Sequence, residues 1–273
     1  MGTRLWEPAC TMCTRPMARV NYDRMAPVYD AGRDRTLDQR RSWRDALGRH
    51  LPPPCGCPGG VLDLGAGTGQ WARALNTWFG VPVVAVEPSA GMRAAAGAKG
   101  LDGIRLVGGR GEAVPLRSGA VPAAWLSLVL HHLDDPAACA AELHRVLCDH
   151  GRVLLRGAFP DAGALVDLGF MLTWFPAAER VLATFPRLVD TVTLFERAGF
   201  TLVGMRAVAD LAAASLADAL ERVRLRADTV LRHLPDADFQ AGVRRLQAAV
   251  AAEDPEHPAG PIFGQLPLVV LAK

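Results

Sequence analysis

Residues 61–71, VLDLGAGTGQW, constrain this chain more than any other stretch. An apolar strand pattern, Val61–Leu64, runs into Gly65-Ala66-Gly67-Thr68-Gly69 and then straight into a helical pattern. Glycines let the backbone turn sharply there, and let a ligand approach where a Cβ would block it. The dinucleotide fingerprint would carry Gly or Ala at position 70, where Gln70 stands, so the spacing is instead Gly-x-Gly-x-Gly preceded by Asp63. A second strand pattern, VVAVE, ends on Glu87, 22 positions after Gly65. A carboxylate at that tip can accept both hydroxyls of a ribose. A dehydrogenase could use it too, so the weight lies on the combination of glycine spacing and Glu87.

The rest of the chain extends this strand–helix alternation. Short apolar runs predict strands at 61–64, 83–86, 104–107, 124–129, 152–155, 202–207 and 266–271, with helices in most of the gaps. The helix starting near Asp135 has an acidic N-cap, Pro136 in its first turn and Gly151 as its expected stop, which puts Cys139 and Cys148 inside it. The expected fold is α/β: a doubly wound, mostly parallel seven-stranded sheet. Two stretches exceed a minimal plan, an aromatic segment at 158–190 and an Ala/Leu/Arg-rich helical insertion at 211–252 before the last strand. The expected division is 1–50 as N-terminal arm and helical lid, with 51–273 as the ligand-binding domain. The helical pattern of 21–51 is expected to break at Gly32.

Composition narrows the class. The chain has 273 residues, half of them hydrophobic, and a net charge of +2, so no global basic field argues for nucleic acid. No apolar run reaches the length of a membrane span and no signal-peptide core opens the chain, which predicts a cytoplasmic protein with no membrane partner. Four of the six cysteines form Cys10-x-x-Cys13 and Cys55-x-Cys57. Four thiolates could complete a zinc tetrahedron, but the second pair is one residue short of the usual knuckle, so no metal is expected.

Further along come VGGRGEAVPL (107–116) and AAWLSLVLHHLDDP (123–136), in that order. The succession, over roughly 21–157 with a weaker echo in LFERAGFTLV (194–203), resembles the class I, Rossmann-like methyltransferases dependent on S-adenosylmethionine (SAM). Its style is closest to the ubiquinone/menaquinone-type and trans-aconitate-type small-molecule enzymes. The resemblance implies SAM as cofactor. Asp63, Gly65, Ala66, Gly67 and Gly69 would hold its methionine part and Glu87 its ribose. Pro88, Met92, Gly111 and Glu112 would lie along the nucleoside, and Leu128 to His131 near the sulfonium. Arg110 stands where an acid often faces the adenine amine, so backbone groups or Glu112 would serve there. Pro122 replaces an acid common at the start of the fourth strand.

The segment NYDRMAPVYDAGR (21–33) holds both tyrosines of the chain, seven apart and so on one helical face. It resembles the lid segment of the same family. Tyr22 is expected to pack the helix onto the domain, and Tyr29 to form a wall over SAM and the transferred methyl. Arg33 is either a partner for the SAM carboxylate or a solvated arginine. His131, at the end of the fourth strand, is either a base for the acceptor or a structural histidine bonded to backbone. The aromatics of 159–185 are either core or acceptor pocket. LHHLDD stands where an Asn/Asp-Pro-Pro-aromatic tetrapeptide would mark many amino-methylating enzymes of nucleic acid and protein. The expected function is methyl transfer to O, N or C of a small-molecule acceptor. The alternatives are an enzyme of this fold using SAM without methyl transfer, and a SAM-binding scaffold without turnover.

Overall fold

The computed structural model describes residues 20–51, 59–254 and 256–273. Residues 1–19 of the expected arm and the Cys10, Cys13, Cys55 and Cys57 set lie outside the described residues. The chain opens with α1 (Tyr22–Arg33) and α2 (Arg41–Gly48). It then alternates through β1 (Val61–Leu64), α3 (Gln70–Phe79), β2 (Val83–Glu87), α4 (Ala90–Gly97), β3 (Ile104–Gly108), β4 (Val121–Ser127), α5 (Pro136–Val146) and β5 (Leu147–Arg156). Next come α6 (Gly169–Trp174), α7 (Ala178–Leu182), α8 (Leu188–Arg197) and β6 (Thr201–Ala213). The chain closes with α9 (Leu216–Arg224), α10 (Thr229–His233), α11 (Asp236–Ala251) and β7 (Ile262–Ala272).

The seven strands form one sheet in the order β3-β2-β1-β4-β5-β7-β6. The first five run parallel, and β7 lies antiparallel to both β5 and β6. The order reverses between β1 and β4, which opens a crevice at their carboxyl ends. Every residue of β1 is buried, as a central parallel strand covered on both faces requires. One apolar layer, with Leu143 and Phe195, covers one face; another, with Leu47 and Trp125, covers the other. A third core, around Phe175, Leu220 and Leu246, joins the 158–190 and 211–252 elaborations. The helix α2 belongs to the main core: Trp43 is 1% exposed and meets Trp71 and Trp125 edge-on.

Several boundaries differ from the sequence reading, each for a local reason. The start of α5 is as expected, with Asp135 accepting from the amides of Ala137 and Ala138 and Pro136 in the first turn. Its end is not: Leu147 turns extended and pairs with Val121, placing Cys148 in β5 rather than in a helix. Residues 148–151 then bulge, with His150 in the left-handed region, before Arg152 pairs with Ala123, so Gly151 serves this bulge and not a helix stop. The strand β4 starts at Val121 and stops before Leu128, whose φ of 57° ends the extended run. Both β6 and β7 outrun their expected lengths because they pair with each other beyond β5, from Ala207↔Pro267 to Ala213↔Ile262. The helical insertion therefore begins at Leu216, capped by Ser215. Finally, α1 does not break at Gly32. A Cβ there would lie 2.5 Å from that of Ala227, so this glycine serves close packing inside a continuous helix.

Candidate active site

At the crevice, β1 ends in a turn whose Gly65, Gly67 and Gly69 all have positive φ, a region in which other residues are strained. A Cβ on Gly67 would meet only Cε1 of Tyr29, at 4.0 Å, so space stands open above the turn. Glu87, at the tip of β2, reaches under it: Oε2 accepts from the Gly67 amide at 2.8 Å and Oε1 from the Ser89 amide at 2.9 Å. The carboxylate is 6% exposed, and burial pushes its pKa above the usual range. Asp63 is buried more deeply, at 1% exposure, where it accepts from the Ala72 amide near the start of α3. Burial first, and then the Glu87 charge, push its carboxyl up to about 7, while its Oδ2 has no hydrogen-bond partner.

These elements open onto one cavity of about 1280 Å³. Of the sequence-predicted residues, the cavity wall holds Tyr29, Arg33, Gly65, Ala66, Gly67, Glu87, Pro88, Met92, Gly111, Glu112, Leu128 and His131. Asp63, beneath the turn, and Gly69, at its end, do not line it. Gly111 is packed tightly, since a Cβ would fall 2.8 Å from Leu133 and 2.9 Å from the Cys139 sulfur. Glu112 accepts from the Asp134 amide at 2.9 Å, and Arg110 pairs with Asp134, so both hold the loop after β4. Leu128 keeps its left-handed backbone at the reversal point, where its amide donates to the Arg156 carbonyl at 2.8 Å.

The helix α1 lies across this cavity as a strap, and its repeated Tyr-Asp pairs divide the labour. Asp23 accepts from the Ser89 hydroxyl and the Gly91 amide, each at 2.7 Å, at the start of α4. Asp30 accepts from Thr68 and, at 2.8 Å, from Gln70, and pairs with Lys99. Tyr22 turns to the other side, its hydroxyl 2.7 Å from Nε2 of His132. Arg33 pairs with Asp228 just before α10. Sequence reasoning weighed the tyrosines and passed over both aspartates; the signal available was the repeat of the whole Tyr-Asp doublet at seven residues.

Two buried arginines were also missed, because in an arginine-rich chain nothing local distinguishes them. Arg40 is 6% exposed, stacks on Trp71 at 4.9 Å and donates to Gln70 at 2.6 Å beside the glycine turn. Burial pushes its pKa down to about 10. Arg156, at the end of β5, donates to Asp210 at 2.6 Å, and Asp210 also accepts from the Trp43 indole at 2.8 Å.

His131 and His132 occupy a short 3₁₀ turn at Leu130–His132, past the end of β4. The His131 ring lies parallel to Phe185 at 4.1 Å and beside His132 at 3.9 Å. Burial, then the neighbouring His132, Arg33 and His233, hold its pKa well below the usual imidazole value, so it is neutral at physiological pH. Its Nε2 is buried without a hydrogen-bond partner.

Residues 62–155 match the methyltransferase domain family. Over 156 residues the chain is 33% identical to malonyl-[acyl-carrier protein] O-methyltransferase of Laribacter hongkongensis, covering 52% of this chain and 50% of that protein. The chain spans about half the length of the curated relatives it matches. Among solved structures it is similar to geranyl diphosphate C-methyltransferase from Streptomyces coelicolor A3(2), with a TM-score of 0.52 and 17% identity over 85% of this chain and 77% of that one. A candidate methyltransferase from an antibiotic biosynthesis pathway in Anabaena variabilis gives a TM-score of 0.60 and 20% identity, over 83% and 96%. At these identities the solved structures speak to the fold alone. The family match takes in the glycine turn and Glu87, and it lies on a sheet whose strand order is Rossmann-like, so residues 62–155 are similar to a methyltransferase domain.

Proposed function

We propose that this chain binds SAM along the carboxyl ends of β1, β2 and β3 and transfers its methyl group to a small molecule held in the adjoining part of the same cavity. The observation that carries this reading is continuity: the glycine turn and Glu87 share one cavity with His131 and with walls from both elaborations. The cavity exceeds the ~300–1,000 Å³ of an ordinary ligand pocket, which leaves room for a cofactor and a second molecule. When bound, SAM supplies an electrophilic methyl carbon on a cationic sulfur.

The residues fit that cofactor. The open space over Gly67 admits a chain that any Cβ would crowd. Glu87 offers carboxylate oxygens at the cavity wall for ribose hydroxyls. The partnerless Oδ2 of Asp63 leaves acceptor capacity beneath the turn that would hold the methionine part. Arg40, at the cavity wall beside Gln70 and Trp71, is the cation for the methionine carboxylate, since its acidic neighbour Asp34 is 3.6 Å away whereas Arg33 is directly paired with Asp228. Gly111 and Glu112 border the adenine, with Pro88 and Met92 on the nucleoside side and Leu128 at the sulfonium. Tyr29 overhangs the turn and excludes water from the reacting end. Neutral His131 offers its partnerless Nε2 as a hydrogen-bond site for the acceptor's nucleophilic group. In this scheme α1 is the lid, while α2 stays anchored in the core through Trp43.

The test is label transfer. Incubated with methyl-labelled SAM and a small-metabolite extract, the protein should label a compound below about 1 kDa and leave protein and RNA unlabelled. Label appearing only on macromolecules would refute the acceptor class, and binding of SAM without transfer to any fraction would refute methyl transfer.

A further inference from the structure

We infer that the acceptor is an uncharged molecule with an apolar body and a nucleophilic hydroxyl, lodged between the 158–190 and 211–252 elaborations with that hydroxyl on Nε2 of His131. The inference rests on the proposed cofactor site and deepens its acceptor side.

The walls set the body. Phe170, Met171 and Phe185 from one elaboration and Ala219, Val223 and Leu231 from the other line this side of the cavity and pack into one apolar core, which presents an apolar wall. The charges set the neutrality. Arg33 pairs with Asp228, Arg156 with Asp210 at 2.6 Å, and Arg222 with Asp218 at 2.7 Å. The remaining cation on that side, Arg35, donates to the carbonyl oxygens of Asp34, Leu211 and Ala212. A carboxylate or phosphate entering here would have to draw Arg33, Arg156 or Arg222 from its half-buried aspartate, or Arg35 from the three carbonyls that hold it. A neutral apolar molecule disturbs none of these pairs.

The hydroxyl follows from His131. Its ring is held between Phe185 and His132 at the cavity wall, and its Nε2 is buried without a partner. The neighbouring His132 already has its Nε2 engaged by the Tyr22 hydroxyl at 2.7 Å. A buried polar atom of this kind calls for a ligand group. A hydroxyl both donates and accepts, so it serves either tautomer of a neutral imidazole, whereas a carboxylate can only accept. An aliphatic amine would arrive as a cation beside Arg33.

The experiment compares 1-naphthol with 1-naphthoate, which share a ring system and differ in charge. Each is titrated into the protein saturated with S-adenosylhomocysteine, with binding read by fluorescence. Saturable binding of 1-naphthol, at least tenfold tighter than 1-naphthoate, is expected. His131→Phe, which keeps a ring against Phe185, should weaken 1-naphthol roughly tenfold, the scale of one hydrogen bond. Calorimetry with S-adenosylhomocysteine confirms that the variant is folded. Equal or tighter binding of 1-naphthoate, no binding of either probe, or an unchanged His131→Phe would overturn the inference while leaving the cofactor site standing. Failure of the parent protein to bind S-adenosylhomocysteine would overturn the cofactor reading, and the inference with it.

Discussion

Replacing Asp63 with Asn should make the protein more stable at neutral and alkaline pH. Unfolded, this carboxyl ionises near its ordinary value of 3.8; folded, it does so at about 7, because burial and then the Glu87 charge oppose the anion. Between those values the native chain keeps a proton that the unfolded chain has lost. Stability therefore falls as pH rises through the window, and below it the cost vanishes. At 1.36 kcal/mol per pH unit, a separation of about three units sets an upper bound of ~4 kcal/mol on the cost at pH 8. Asn keeps an oxygen for the Ala72 amide and cannot ionise. Urea unfolding followed by tryptophan fluorescence, at intervals from pH 4 to 8, should give coincident midpoints at the acid end. Asp63→Asn should draw ahead as pH rises, and Glu87→Gln should recover a smaller part of the gain. An Asp63→Asn protein less stable than the parent at pH 8, or with the same pH slope, would refute the reasoning.

Three further outcomes follow from the geometry. Gly67→Val forces a side chain into a left-handed position facing the cavity; it should fold, as judged by circular dichroism, and lose S-adenosylhomocysteine binding in calorimetry. Trp43→Ala removes a buried indole from the Trp71–Trp125 cluster along with the donor to Asp210, and should cost about 3–5 kcal/mol in urea unfolding. Asp30→Ala cuts the ties of α1 to Thr68, Gln70 and Lys99; amide exchange in residues 22–33 should quicken while amides of β1 and β4 stay protected.

The sheet was legible because its signal is local and repeated. Seven short apolar runs named seven strands, and the glycine turn and Glu87 fall at the carboxyl edge of the sheet as their spacing implied. What escaped depends on partners distant in sequence. The length of β6 and β7 is set by their pairing with each other, not by the hydropathy of either. Gly32 reads as a helix breaker until Ala227 is seen against it. Leu147 reads as helix until β4 claims it. The same holds in the site. Asp30 and Arg40 look like solvated charges in their own segments; Asp30 becomes a tie from α1 to the glycine turn only through Thr68 and Gln70, and Arg40 part of the cavity wall only through Gln70 and Trp71. His131 was legible as a candidate from its place after β4, but the orphan nitrogen and the Phe185 stack needed the fold.

The central claim is that the glycine turn and Glu87 form a SAM site, and titration calorimetry with S-adenosylhomocysteine tests it most directly. The parent protein should bind one equivalent. Glu87→Ala, which removes a carboxylate offered to two ribose hydroxyls, should lose roughly 1.5–3 kcal/mol, a ten- to hundredfold weaker Kd. Parental affinity in Glu87→Ala would contradict the placement of the cofactor.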